Sequence, residues 1–542
     1  MGLLGHLHSL QAQRGCLTED TLRELAEREN VPLYRLQELV SFYPHFRTSR
    51  PPRVDAAVCR DMSCWLRGAP ECLARIRQDL SSLPDCKVRE VSCVGRCDRA
   101  PAGLINETPV SLTEATNVRR WAEQPEVVPR PVALKPRSWR SDPYSEPSGR
   151  YGLLKELLTQ DLDAVATRVL NELIQSGLRG MGGAGFPTAA KWELVRKETR
   201  TPKYIICNAD ESEPGTFKDR VILAELPHLI IEGMILAGLV VGAEHGILYI
   251  RHEYDLEREA FERAIREAER AGVLGESIGG TDFSIKLEIF VSPGGYILGE
   301  ETALLEALED KRGEPRTKPP YPVTHGLHGQ PTLINNVETL ALVPPIVRRG
   351  AEWWRSQGKP GFSGLKFIAL SGHVERPGVY EVPVGTTVRE LIALGGGMQD
   401  GRQLKAFAPG GASSNFLPAS AVDVPLDFDA VARAGSMLGS GAVVAVAEGT
   451  DMLGLASNVV RFFRNESCGK CVPCRLGTQT AVEILERTQA GQGERQELDL
   501  LPELGETLLQ TSLCGLGQVA LNPILSVARH WPEEINKGTP AR

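Results

Sequence analysis

Along much of the chain apolar residues recur at helical spacing, and at intervals this pattern gives way to short continuous apolar runs. Amphipathic helices alternating with buried strands are the simplest reading. In "DAVATRVLNELIQSG", Val165, Val169, Leu170, Leu173 and Ile174 fall on one face, which predicts a helix with Gly177 as its C-cap. "TEDTLRELAEREN" predicts another helix, opened by a capping Thr18. "RVDAAVC", "CKVREVSC", "KYIICNADESEPG", "GILYI" and "LEIFVSP" read as strands, and "APECLARIRQDL" as a helix between the first two. The longest apolar stretch, "LPHLIIEGMILAGLVVGAEHGILYI", is interrupted by Pro227, His228, Glu232 and Glu244. It reads as a buried helix running into a strand, not as a membrane span.

A chain of 542 residues exceeds the size at which one core keeps growing, so several domains are expected. The pattern divides it into a helical segment plus small α/β domain (1–120), a proline-rich linker (121–150) and a larger α/β domain (151–355). A small β-rich domain (356–430) and a helical region (431–542) follow. The linker carries Pro125, Pro129, Pro131, Pro136, Pro143 and Pro147 and is expected to lie extended on a neighbouring domain. Hydrophobic content of 42%, charged content of 24% and a formal charge of −8 describe an ordinary soluble protein. They give no reason to expect a nucleic acid or an anionic membrane surface as partner, nor direct membrane insertion. The first thirty residues lack a secretory pattern, so the expected location is the cytoplasm, or the cytoplasmic face of a membrane complex.

The cysteines change the picture. Eight of the twelve form two groups of four, one near each end. Cys468, Cys471 and Cys474 make C-x2-C-x2-C, joined by the distant Cys514 in "SLCGLG". Three thiolates on one tight loop plus one from afar can surround a [4Fe–4S] cluster. A structural zinc on the same four is the alternative. Cys59 and Cys64 are spaced C-x4-C, and Cys93 and Cys97 C-x3-C, each pair following a predicted strand. A [2Fe–2S] cluster at one sheet edge is the favoured reading; zinc or unrelated buried thiols remain open. Cys16, Cys72, Cys86 and Cys207 have no motif spacing and read as core or incidental thiols. Separately, Gly180, Gly182 and Gly185 in "LRGMGGAGFPTAAKW" satisfy G-x-G-x-x-G. The loop leaves a predicted helix and not a strand, so a Rossmann assignment fails its structural condition. Gly180, Gly182 and Gly183 would still let backbone N–H groups approach a phosphate, with Lys191 adding a point charge.

"SGLRGMGGAGFPTAAKW", "CNADESEPGTFKDR", "GGYILGEETALLEALEDKRGEPRTKPPYP", "INNVETL" and "ESCGKCVPCRLGT…LCGLGQ" carry a resemblance over residues 151 to 542. The chain there resembles the NADH-binding flavoprotein subunit of respiratory complex I and its relatives in NAD-dependent formate dehydrogenases and NAD-reducing hydrogenases. "FYPHF" and the Cys59/Cys64/Cys93/Cys97 set make residues 1 to about 120 similar to the partner [2Fe–2S] subunit. The resemblance implies an α/β multidomain fold: a thioredoxin-like N-terminal domain, an FMN- and NADH-binding α/β domain that is not a standard Rossmann fold, a small β-grasp domain and a C-terminal helical iron–sulfur domain. Two commonly separate subunits are fused.

The same resemblance implies that the glycine loop holds FMN with NAD(H) stacked above it. Asn208, Asp210 and Glu211 lie near the flavin, Asn335 and Asn336 complete its site, and Gly299 and Glu300 face it. Phe186 and Tyr321 stack on the adenine, while Glu213, Glu301 and Lys318 orient sugars and phosphates. Met181 stands where relatives often carry arginine, and "SPGGYIL" departs from their commoner "GAGAYIC". The implied activity is that of a diaphorase, exchanging electrons among NAD(H), FMN, one [4Fe–4S] and one [2Fe–2S] cluster. Glu211 and Glu300 act electrostatically and not as proton shuttles. The expected partner is a catalytic subunit with further iron–sulfur clusters; the fusion resembles formate dehydrogenase and hydrogenase modules more than complex I, and of these the formate dehydrogenase type is preferred. The rival readings are a non-catalytic iron–sulfur scaffold that has lost nucleotide binding and a zinc-stabilised interaction protein.

Overall fold

The computed structural model describes residues 2–113, 117–124, 127–128, 137–144 and 146–536. The linker prolines Pro125, Pro129, Pro131 and Pro136 lie outside them. Three sheets organise the described residues.

The first is four-stranded, in the order Cys86–Val91, Val54–Cys59, Ala102–Ile105, Thr108–Ser111. Val54–Cys59 runs parallel to Cys86–Val91, with Cys59 opposite Val91, and antiparallel to Ala102–Ile105. Parallel pairing sends both predicted cysteine loops off one end of the sheet. The closing hairpin (Ala102–Ile105 and Thr108–Ser111) lies in "AGLINETPVS", whose short strands carry too few apolar positions to show a period.

The second sheet is wholly parallel, ordered Lys286–Ser292, His245–Arg251, Tyr204–Ala209, Thr332–Asn336. Its central strands are continuous apolar runs because helices cover both faces. The most buried is Pro227–Val241, which packs on Val337–Arg349 and feeds the strand beginning at His245. The helix Leu162–Ser176 ends at Gly177 in the left-handed conformation, and the glycine loop follows it directly. Among the described residues no single helix is long and apolar enough to cross a membrane.

The third sheet runs Gly378–Pro383, Leu365–Gly372, Ala442–Ala447, Leu404–Ala408, Leu417–Pro418. Ala442–Ala447 pairs parallel with Leu365–Gly372, so this sheet reaches beyond the expected limit at residue 430. Six apolar residues in a row, "AVVAVA", do not declare a period, which is why the strand is not separable by pattern from the helical region. His373, in a segment that reads as turn or surface, is buried beside this sheet. Its Nδ1 accepts from the Ala447 N–H at 3.1 Å, and its Nε2 donates to the Leu66 carbonyl at 3.0 Å. Beyond the sheet the chain is helical, with Met452–Glu466, Val472–Gln489, Leu501–Thr511 and Asn522–His530 packed together.

The linker residues that are described grip two domains at once. Arg137 and Trp139 bind Glu225, the Arg140 and Ser141 N–H groups bind Glu381, and Tyr144 OH donates to Glu232 at 2.7 Å.

Candidate functional site

In a parallel sheet the strand carbonyl ends converge, and chemistry gathers there. Here those ends deliver Asn208 with Asp210, Arg251, Ser292, and Asn335 with Asn336 to one edge. Above it lies the glycine loop, closed by the Gly180 N–H on the Phe186 carbonyl at 2.8 Å. A Cβ at Gly182 would come within 3.0 Å of the Asn336 Cβ, so the loop lies directly against the strand end. Gly183, at φ 130°, adopts a backbone conformation that side chains resist.

The turn Tyr296–Gly299 closes the cradle from the side, its Gly299 carbonyl accepting from Asn208 Nδ2 at 2.9 Å. Glu300 then caps the helix Glu301–Leu308, accepting from the Thr302 and Ala303 N–H groups. Its other oxygen binds Lys318 Nζ at 2.9 Å; Lys318 also binds Glu301, and Glu301 binds Lys191 at 3.0 Å. Burial alone would raise the Glu301 carboxyl, yet Lys191 and Lys318 hold it at about 2. Lys191 and Lys318 thus tie the segments bearing Phe186 and Tyr321 together. Both rings present about half their surface to solvent, 49% and 53%, beside a half-buried charge network.

The acidic loop after Tyr204–Ala209 is buried. Asp210, pushed up to about 6 by burial, accepts from Ser292 and Ser212 hydroxyls. Glu213, also raised to about 6 by burial, accepts from Tyr296 OH at 2.5 Å and from the Ser413 N–H at 2.6 Å. Glu211 turns away from the cradle. It accepts from the Asp219 and Arg220 N–H groups and from Tyr254 OH, and burial followed by the Asp219 charge raises it to about 8. Asn335 accepts from Trp192 Nε1, and Asn336 caps the helix Val337–Arg349 while donating to Asp219. These two asparagines shape the cradle floor as much as they offer donors to a ligand. Met181 is buried with its sulfur 3.7 Å from Lys366 Nζ, so a cation still lies beneath the glycine loop. Lys366 binds Glu338, which binds Lys218, which binds Asp219, a wholly buried network that the sequence does not announce.

Two cysteine groups flank this cradle. Cys468, Cys471, Cys474 and Cys514 line one cavity together with Ile297, Pro315 and Lys470. The turn Tyr296–Gly299 therefore has the cradle on one side and this cavity on the other. Burial pushes the Cys514 thiol up to about 12 and raises Cys468 and Cys474. Such thiols need a bound cationic centre to ionise. On the opposite flank Cys59, Cys64, Cys93 and Cys97 are all buried, with the Cys93 and Cys97 sulfurs 3.5 Å apart. Cys93 accepts from Cys59 and Cys97, which holds it well below the usual thiol range; Cys97 is pushed well above it by Cys93 and burial, and Cys59 by Cys64 first and then Cys93. Among the described residues no three His, Cys, Asp or Glu side chains converge on a point suited to one metal ion. Cys468, Cys471, Cys474 and Cys514, lining one cavity, fit a polynuclear cluster, whose corners stand apart, better than a single tetrahedral zinc. Arg251 joins this flank to the cradle, its guanidinium donating to the carbonyls of both Cys93 (2.7 Å) and Glu211 (2.5 Å). Arg251 is within reach of sequence reasoning, as the residue directly after the predicted strand "GILYI"; Ser413, on a distant domain, carries no such signal.

Four family models match in chain order: "Thioredoxin-like [2Fe-2S] ferredoxin" over residues 1–124, "Nuo51 FMN-binding domain" over 173–345, "SLBB domain" over 367–415 and "NADH-ubiquinone oxidoreductase-F iron-sulfur binding region" over 454–538. The F 2 subunit of the NADH-quinone oxidoreductase of Rhizobium meliloti (strain 1021) is 45% identical over 391 residues, 72% of this chain and 92% of that one. The corresponding F subunit of Escherichia coli (strain K12) is 41% identical over 400 residues, 73% of this chain and 89% of its own. The crystal structure of an NAD+-reducing [NiFe]-hydrogenase in the H2-reduced state superposes with a TM-score of 0.86 at 33% identity, covering 99% of this chain and 93% of that one. With its FMN-binding domain, its iron–sulfur binding region and a thioredoxin-like [2Fe–2S] domain in front, the chain belongs to the family of NADH-quinone oxidoreductase F subunits.

Proposed function

We propose that this chain is the NADH-oxidising, diaphorase component of a larger electron-transfer complex. One observation carries the reading: a single turn, Tyr296–Gly299, separates the nucleotide cradle from the cavity of Cys468, Cys471, Cys474 and Cys514. Bound in the cradle, FMN would supply the exchange between a two-electron hydride donor and one-electron clusters. The chain's own residues do the positioning. Backbone N–H groups of Gly182 and Gly183 face the phosphate end, with Lys366 and Lys218 beneath them. Phe186 and Tyr321 offer their exposed faces to the adenine, and Lys318, Glu301 and Glu213 fix the sugars and phosphates. Glu300 and Glu211 act through charge, Glu300 beside the nucleotide and Glu211 through the helix it caps. Cys59, Cys64, Cys93 and Cys97 hold the second cluster on the far flank. Electrons leave past Val472 and Leu476, both more than half exposed beside the ligand cysteines, where an iron–sulfur partner would dock.

Formate dehydrogenase remains the proposed partner, the fusion itself counting only against a complex I type. A hydrogenase partner has a specific observation in its favour, the near-complete superposition on a chain of the NAD+-reducing [NiFe]-hydrogenase. Molybdenum or tungsten in the co-purified complex supports the first, and nickel the second. The activity itself is tested by an anaerobic NADH titration followed by flavin absorbance and low-temperature EPR. Prompt bleaching of the flavin with a reduced-cluster signal is expected. Intact flavin and clusters that NADH leaves oxidised would favour the scaffold reading.

A further inference from the structure

Outside the nucleotide site, a cavity of about 290 Å³ lies where the thioredoxin-like domain meets the third sheet. One wall is Gly372 and Pro377; the other carries Arg67, Arg99, Ser111, Thr113 and Cys97. Two arginines, Arg67 and Arg99, line this space, and among the described residues neither has a carboxylate partner within ion-pair distance. Arg67 donates one N–H to Gln399 and keeps its remaining donors. The Arg99 side chain donates to none of the described residues, although its carbonyl accepts from Ser111 Oγ at 3.1 Å. The one acid in the lining, Asp98, is already bound to Arg220 at 2.7 Å, so its charge is balanced from behind. Two like charges facing one cavity repel each other, and an anion between them removes that cost. Guanidinium forks match the oxygens of phosphate in pairs, and the Thr113 hydroxyl, beside Ser111, adds a donor at the same rim.

We propose that this junction is a binding site for a phosphate dianion, free or carried by a small phosphomonoester, and that its occupancy lowers the reduction potential of the adjacent [2Fe–2S] centre. The second half follows from placement. Cys97, a proposed ligand of that centre, forms part of the cavity wall, and a negative charge there opposes the arrival of an electron. The site is separate from the nucleotide cradle: it is built from the loop after Cys97, the hairpin end at Ser111 and the turn after Gly372, none of which contributes to the glycine loop or its carboxylates.

The test uses the purified, cluster-loaded chain. Calorimetric titrations with inorganic phosphate and with glycerol 3-phosphate are run at constant ionic strength held by chloride. Saturable binding to one site is expected; a tighter fit for the ester would identify a phosphomonoester, and equal or weaker binding would identify free phosphate. Arg99 is exposed, so Arg99→Gln leaves the fold intact and is expected to weaken binding about tenfold or more. Arg99→Lys should retain part of it, and Thr113→Val gives an independent reading at a second side chain of the same wall. EPR-monitored redox titration should show the [2Fe–2S] midpoint falling in phosphate for the native chain and staying fixed in Arg99→Gln. No saturable binding up to about 10 mM, undiminished binding in Arg99→Gln, or displacement by NAD+ would overturn the site. Binding with an unmoved midpoint would overturn its link to the cluster.

Discussion

Tyr296 shows how much one side chain sets in this molecule. Its hydroxyl donates to Glu213 across the turn that separates cradle from cluster cavity, and its ring packs edge-on to Phe462. Burial raises Glu213 to about 6, and the bonds from Tyr296 and Ser413 pull in the other direction. Tyr296→Phe removes one donor to the charged form, so the Glu213 pKa must rise. If the ionised carboxylate orients NADH, the acid limb of kcat/KM moves to higher pH by about one unit. A pH profile of native and variant protein measures this, and an unmoved limb would mean that another group governs it. At this scale the sequence discloses residue types and misses their commitments. Asp210, Glu211 and Glu213 are visible as an acidic loop. That Glu211 turns to cap the helix Lys218–Glu225 and meets Tyr254 depends on a neighbour more than forty residues away, which no local pattern encodes.

Among the elements, the helix Pro227–Val241 carries a buried carboxyl group on a largely apolar body. Glu232 sits fully buried in its middle, held by both oxygens to Tyr144 OH from the linker, at 2.7 and 2.8 Å. Burial lifts its carboxyl to about 7. The unfolded chain therefore releases this proton near pH 4.5 and the folded one near 7. Stability from this group is full below pH 4.5 and declines as pH rises to about 7, by about 3 kcal/mol at most. Glu232→Gln keeps an acceptor for Tyr144 and cannot ionise. Its apparent unfolding midpoint should exceed that of the native chain at pH 8 and lose the advantage near pH 5. A pH series of denaturation curves decides this, and equal midpoints at pH 8 would show that Glu232 is solvated in the folded state. Elements of this kind are legible because their periods are long: the helices at Leu162–Ser176 and Val472–Gln489 and most strands of the parallel sheet follow from apolar spacing. Thr332–Asn336 and Ala442–Ala447 do not, since a strand of five or six residues is too short to separate from a helix or loop by period alone.

For the whole molecule the fusion raises a sharper question, whether the linker or the interface holds the [2Fe–2S] domain in place. The interface is charged, buried and distributed over three partners. Arg96 binds Glu257 at 2.9 Å and Asp98 binds Arg220, both with the parallel-sheet domain, to which Arg251 adds the Cys93 carbonyl. Ser63 meets Ser371, and His373 reaches the Leu66 carbonyl, both from the third sheet. Asn458 of the C-terminal helices binds the Met62 N–H and the Arg60 carbonyl, at either end of one short stretch within the Cys59–Cys64 loop. Breaking either buried ion pair, Arg96–Glu257 or Asp98–Arg220, leaves a charge without a partner, so these two resist separation far more than they would at a wet surface. The covalent connection between Val128 and Arg137 then supplies effective concentration and little else. Co-expression of residues 1–128 with residues 137–542 should accordingly give a stoichiometric complex that survives gel filtration at micromolar concentration. Arg251→Leu in that split pair should weaken it, because Cys93 and Glu211 lose their common donor at once. If the two pieces elute apart with their clusters intact, the covalent fusion is what keeps the second cluster against the flavin flank, and electron exchange between them would depend on the linker's length.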